Sequence, residues 1–169
     1  IVQFVDVPGY AIGTVAEKQA TMRWGVELTK TYYTTTVPIF SVIVRKAYGV
    51  AGSLMLEARD PHMRVGWPSG EWGSLPLDGG IDVGHSAELK KIEKEHGLEA
   101  RKARYKELDE EYRRLMNPLR TANHFSIEEI IDPADTRALV ERWTRHMYEN
   151  DLPERVALRL CGKLQPTYA

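Results

Sequence analysis

Cysteine is almost missing from this sequence. Cys161 is the single one in 169 residues, so no disulfide can close within the chain. That suits a reducing compartment, and the cytoplasm is the expected location, with the mitochondrial matrix its counterpart in a eukaryote. No segment reads as a secretory or transit peptide. Long apolar runs are missing too: none approaches the roughly 20 residues that a membrane-spanning helix needs, so no membrane partner is expected. Neither sign of charge dominates. The 23 basic and 24 acidic residues leave a formal net charge of -1. The clustered basic surplus that marks a nucleic-acid surface is therefore absent, and no nucleic-acid partner is expected. His62, His85, His96, His124 and His146 fall at no metal-ligand spacing, and a lone cysteine makes no thiolate cluster, so no metal site is expected. No serine elbow and no phosphate-loop lysine motif occurs. There is no internal repeat and no low-complexity tract.

What remains is an ordinary globular composition, 43% hydrophobic and 28% charged, at a length that fits one domain with a real core. The chain starts at Ile1, and the run from Ile1 to Val5 already reads as a buried strand. Two origins fit: a trimmed sequence, or a processed or split chain whose other half lies elsewhere.

The first strand ends at the turn pair Pro8-Gly9, and Gly13 closes the following loop. Thr14 and Glu17 have capping-box spacing. Ala16, Ala20, Trp24 and Leu28 recur every four residues and predict one helix to about Tyr33. After Pro38 the run Ile39 to Val44 is nearly unbroken in apolar residues, the pattern of a strand covered on both faces. Arg45 to Gly49 reads as a turn and Val50 to Ala58 as a buried helix. Met63 to Trp67 predicts another short strand. The glycine-rich stretch from Ser69 to Gly84 reads as loop with room for one short strand. Ser86 is the expected cap of a long charged segment over about 86–116, with an apolar stripe at Leu89, Ile92, Tyr105, Leu108, Tyr112 and Leu115 and a break at Gly97. Its mixed charges suit a solvated face, or else a partner-docking arm. Ile127 to Ile131 predicts a strand. Asp132, Pro133 and Asp135 then start a last helix whose apolar face holds Leu139, Val140, Trp143 and Met147. Strand and helix alternating in this way predict an α/β fold with right-handed crossovers.

Two segments could carry chemistry. In Asp6 to Gly13 a strand leaves into a glycine-bearing loop, which lets backbone approach a ligand or serves as a plain tight connection. In Arg45 to Gly52 a strand runs into a helix of small residues. Unpaired amides at such a helix start can face a developing anion, or the small residues can serve close helix–sheet packing. The residues alone leave both alternatives open.

Taken in order, Val5-Asp6-Val7-Pro8-Gly9-Tyr10, Gly13-Thr14, Thr36-Val37-Pro38, Arg45-Lys46-Ala47-Tyr48-Gly49, Trp67-Pro68, Glu71, Glu111-Tyr112, Asn117-Pro118 and Ile131-Asp132-Pro133-Ala134-Asp135-Thr136-Arg137 resemble the C-terminal half of acyl-CoA carboxylase carboxyltransferase subunits of the propionyl-CoA carboxylase β type. The likeness runs over roughly residues 2 to 140. It implies a crotonase-like ββα superhelix, here one half of a two-half carboxyltransferase and a single domain over residues 1–169.

The resemblance also implies a reaction, transfer of a carboxyl group from carboxybiotin on a carrier protein to the α-carbon of an acyl-CoA. Position and backbone amides would be the protein's share, with the hard chemistry left to the cofactor. By position, the amides of Val50 and Ala51, with Gly49 before them, match the biotin-side oxyanion hole. Gly52, Ser53, Tyr48, Pro8, Gly9, Tyr10 and Gly13 match the substrate-binding surface, and Ser53 matches a position that influences acyl choice. The implied partners are an N-terminal half or subunit, a biotin carboxyl carrier protein and biotin carboxylase, in a homo- or hetero-oligomer. The sequence departs from the family where Val50 replaces a glycine, where Gly52-Ser53 replaces Tyr-Asp, and where Lys18 to Thr21 lacks the usual glycine pair. The same site serves a decarboxylase running the transfer toward biotin. A non-catalytic scaffold of this fold is the alternative from another class.

Overall fold

The computed structural model describes residues 1–56, 62–74, 77–123 and 127–163. Among these residues five strands form one sheet in which every pairing is parallel: β1 (Val2–Val7), β2 (Phe40–Tyr48), β3 (Met63–Gly66), β4 (Glu71–Gly73) and β5 (Glu129–Ile130). The order is β1-β2-β3-β5, and β4 lies along the second half of β2. Parallel neighbours require crossovers, which the helices provide.

β2 organises the molecule. Its first half pairs with β3 and its second half, from Lys46 to Tyr48, with β4. The expected turn at 45–48 is therefore strand. Phe40 and Val42 face one way, into a cluster with Val65 and Ile131 that α8 (Thr136–His146) covers with Leu139, Val140 and Trp143. The Trp143 ring meets Phe40 edge-on, centroids 5.3 Å apart. Ile43 and Ala47 face the other way, with Val5 and Ile127. Both faces are covered, as the unbroken apolar run predicts. Burying one side chain such as Phe40 or Ile43 contributes about 1.5–3 kcal/mol.

On β1 only Val5 is buried; Val2 and Phe4, expected in the core, are exposed, Phe4 by 60%. The expected single helix after Gly13 is two, α1 (Thr14–Lys18) and α2 (Thr21–Thr34). They are separated at Ala20, which has a left-handed φ of 57°. No capping box forms: Gly13 is the N-cap without a side-chain bond, and Glu17 donates its amide to the Gly13 carbonyl. The expected apolar face holds at Ala16 but not at Trp24 or Leu28. Trp24 is 67% exposed, while Ala16 and Gly25 turn inward. The reason is proximity. A Cβ on Gly25 would stand 2.8 Å from the Tyr10 ring, so only this face lets the helix approach.

The helix after β2 is short, α3 (Gly49–Leu54); residues 57 and 58, expected to extend it, lie outside the described residues. The glycine-rich stretch holds β4, as the reading allowed, and a helix it did not foresee, α4 (Leu77–Gly84). Next come α5 (Ser86–His96) and α6 (Leu98–Leu115), broken at Gly97 as expected. The N-cap of α5 is His85 rather than Ser86. Leu89 and Leu108 lock the two helices together with Ile81 of α4. After α7 (Pro118–Asn123), Asp132 caps the next turn, its carboxylate accepting the Ala134 amide at 2.8 Å. A π-helical turn over Met147–Asp151 leads from α8 into α9 (Leu152–Leu160).

Candidate functional site

Both segments singled out in the sequence leave the same end of the sheet. Val5 pairs with Ile43, but Val7 pairs with Ala47, so residues 44–46 of β2 bulge opposite Asp6 alone. The Asp6 carboxylate occupies that bulge. It accepts the Lys46 amide at 3.1 Å and lies 3.8 Å from the Arg45 guanidinium. Pro8 thus leaves β1 beside the point where Tyr48 leaves β2. Crevices at the carboxyl ends of parallel strands are where ligands bind in open α/β sheets.

Gly49 has φ 61°, which turns the chain from strand into α3 at no steric cost. Val50 is 64% exposed and Ala51 is buried. A cleft of about 530 Å3 opens here, lined by Gly49, Val50, Ser53, Trp72, Gly73 and Ser74. The Ser53 hydroxyl donates to the Val50 carbonyl at 3.1 Å and so closes the first turn of α3 on itself. First-turn amides of a helix have no intrahelical acceptor, so those of Val50 and Ala51 are of the type that can serve an anion.

The remaining expected positions divide. Gly52 is buried, and its missing Cβ would meet the Ala47 main chain at 2.2 Å. Gly52 therefore packs α3 onto β2 and does not open space beside a substrate. Tyr48 is buried, its hydroxyl 4.0 Å from the Met116 sulfur, and points beneath the end of α6. The Tyr10 ring lies on Gly25, its hydroxyl buried without a hydrogen-bond partner among the described residues. Gly9 and Gly13 shape the loop with φ of 127° and 103°. Pro8 is exposed at the loop's start. Trp72, Gly73 and Ser74 were not singled out in the sequence. A tryptophan and a glycine flanked by turn residues were the available signal, and a three-residue strand gives no usable periodicity.

His62 is buried, its Nδ1 accepting the Ile39 amide at 3.1 Å, a structural role. His85 joins a side-chain chain described below, and His124 lies outside the described residues. Among the described residues no group of histidine, cysteine and carboxylates could hold a metal ion, and no helix is long and apolar enough to cross a membrane.

The carboxyl transferase domain family matches residues 1–158. The chain is 34% identical over 139 residues to the carboxyltransferase subunit of propionyl-CoA carboxylase from Haloferax mediterranei, covering 81% of this chain and 26% of that protein. It is 34% identical over 140 residues to the methylmalonyl-CoA carboxyltransferase 12S subunit of Propionibacterium freudenreichii subsp. shermanii, covering 81% and 25%. The crystal structure of the transcarboxylase 12S hexamer with methylmalonyl-coenzyme A bound superposes with a TM-score of 0.72 at 31% identity, covering 88% of this chain and 28% of that one. The chain spans about a quarter of the length of the curated relatives it matches. Its parallel sheet and covering helices are the crotonase-like α/β arrangement of these carboxyltransferases. The match over residues 1–158 and the superposition together establish that this chain belongs to the carboxyl transferase domain family.

Proposed function

We propose that this chain is the biotin-facing part of an acyl-CoA carboxyltransferase, completed by an N-terminal half or subunit that carries most of the acyl-CoA site. The observation that carries the reading is the junction of β2 with α3. A bulge held by Asp6, a left-handed Gly49 and a Gly52 packed on Ala47 together aim a helix start into an open cleft.

Carboxybiotin, when bound, supplies the carboxyl group and leaves a ureido oxygen that gains negative charge. The cleft fits such a group. Its lining is small residues, the aliphatic side chains of Val50 and Leu56, and one indole. The amides of Val50 and Ala51 are assigned to that oxygen. They are backbone groups, so valine in place of the family's glycine at position 50 does not remove a donor. One donor of this kind contributes about 3 kcal/mol to the transition state. Gly49 and Ser53 hold the turn, and Pro8 and Gly9 leave β1 at the same end of the sheet. The expected substrate role of Tyr10 is reduced to fixing its loop on α2, and that of Tyr48 to anchoring the end of β2.

The partners assigned are the N-terminal half, a biotin carboxyl carrier protein and biotin carboxylase, in an oligomer. The hexamer of the related 12S protein supports an oligomeric state. The lone cysteine supports a cytoplasmic or matrix setting. The test is a transfer assay. Carboxybiotinylated carrier and propionyl-CoA are mixed with the chain in complex with its N-terminal half, and the carboxylated thioester is measured. The proposal requires turnover; a folded complex that binds carrier and thioester without turnover leaves only the scaffold reading.

A further inference from the structure

A second cavity lies directly behind the cleft. Its volume is about 360 Å3, between β4 and the helices α4 and α6. Trp72, Gly73 and Ser74 line both spaces, so β4 is their common wall. At Gly73 that wall carries no side chain. The rest of the cavity is mostly hydrocarbon: Leu77, Ile81, Leu115 and Met116.

Of the polar side chains in the lining, those of Tyr112 and His85 are already committed, which leaves the small Ser74 hydroxyl. The Tyr112 hydroxyl lies 3.0 Å from His85 Nε2, and His85 Nδ1 lies 3.0 Å from the Glu88 carboxylate. Glu88 in turn accepts from Arg104 at 2.7 Å. The chain Tyr112–His85–Glu88–Arg104 runs from the cavity wall outward and satisfies itself. What faces the cavity from it is ring surface, not a waiting donor. A phosphate or carboxylate brought here would lose water and find at most the single Ser74 hydroxyl, which is costly. A hydrocarbon loses nothing of the kind and gains with each methylene buried. The size is that of small-molecule sites.

We propose that this cavity takes the hydrocarbon end of the acyl group, so that the substrate class is medium-chain acyl-CoA rather than acetyl-CoA. The inference rests on the proposed function: the thioester, held mainly by the N-terminal half, meets carboxybiotin at the cleft, and its acyl chain passes over Gly73. Gly52 adds no room for an acyl group, because it is sealed against Ala47.

The test compares kcat/KM for octanoyl-CoA and propionyl-CoA in the assembled enzyme, using wild type, Gly84→Leu and Leu115→Trp. Gly84 lines the cavity, and a Cβ there meets nothing within 4 Å, so added bulk enters open space. Leu115 lines it from α6 and is half exposed, so the two variants fill the cavity from independent elements. Wild type should prefer octanoyl-CoA by about tenfold or more, and each variant should lose at least that advantage. Equal or better use of propionyl-CoA by wild type, or a preference surviving both substitutions, overturns the inference and leaves the proposed function standing. If no acyl-CoA of any length is carboxylated, the proposed function fails instead. Octanoic acid in equilibrium dialysis then decides for the cavity alone: saturable binding abolished by both variants upholds a hydrocarbon site, and absence of binding overturns it.

Discussion

A Cβ on Gly52 would stand 2.2 Å from the carbonyl carbon of Ala47 and 2.7 Å from its oxygen. The contact is backbone against backbone, so no side-chain rotation relieves it. Gly52→Ala is expected to destabilise the fold by about 1–3 kcal/mol and to tilt α3 away from β2. Gly52→Tyr, with far more bulk on the same Cβ, should do worse. Thermal unfolding of the two variants checks this; a wild-type melting temperature in Gly52→Tyr would mean that α3 sits elsewhere.

Ala20 holds a left-handed φ of 57° where the chain breaks between α1 and α2. That conformation costs an L-residue roughly 1–2 kcal/mol, and glycine offsets part of the gain through its freer unfolded state. Ala20→Gly should therefore stabilise by roughly 0.5–1 kcal/mol. Denaturant midpoints measure it, and a loss of stability would contradict the left-handed assignment.

The Glu88 carboxyl is held below the usual glutamate range, first by the hydrogen bond from Arg104 and then by that from His85. A carboxyl with a depressed folded pKa binds its proton more readily in the unfolded chain. The stabilisation is thus present above the unfolded glutamate value and is lost as pH falls through the folded one. The melting-temperature gap between wild type and Glu88→Gln should be open at neutral pH and close in acid. A gap independent of pH would show that Glu88 carries no charge-dependent role.

Ile12, Val15, Met22, Trp24, Val26 and Leu28 are exposed along α1, α2 and the loop before them, and Phe4 on β1. So many large apolar side chains exposed on neighbouring elements mark a covered interface or an aggregation hazard. The isolated 169-residue chain is expected to aggregate or unfold readily, and to become soluble and stable with a homologous N-terminal half. A sharp cooperative transition of the isolated monomer would contradict this.

The sequence disclosed most where burial is two-sided or chemistry local. The β2 apolar run, the Asp132-Pro133 helix start and the Gly97 break were all legible, because each follows from composition within a few residues. Trp24 and Leu28 misled. Their four-residue spacing describes a helical stripe, but spacing cannot say whether that stripe meets this chain or another surface. The inward face is set instead by Gly25 against Tyr10, a contact between residues 15 apart that leaves no periodic trace. In the candidate site, Gly49 to Ser53 was visible through its small residues. The split of roles was not: Gly52 packs and Ser53 closes a turn only because β2 bulges at Asp6, a register shift set by pairing between distant segments.

Proline at position 51 removes a backbone donor from the first turn of α3, where proline is sterically tolerated. Carboxyl transfer from carboxybiotinylated carrier to acyl-CoA, measured for Ala51→Pro in the complex with the N-terminal half, is the most direct test of the assignment at Val50 and Ala51. The account predicts a fall of roughly 100-fold or more in kcat with an unchanged melting temperature. Unchanged turnover in a correctly folded Ala51→Pro complex would contradict it.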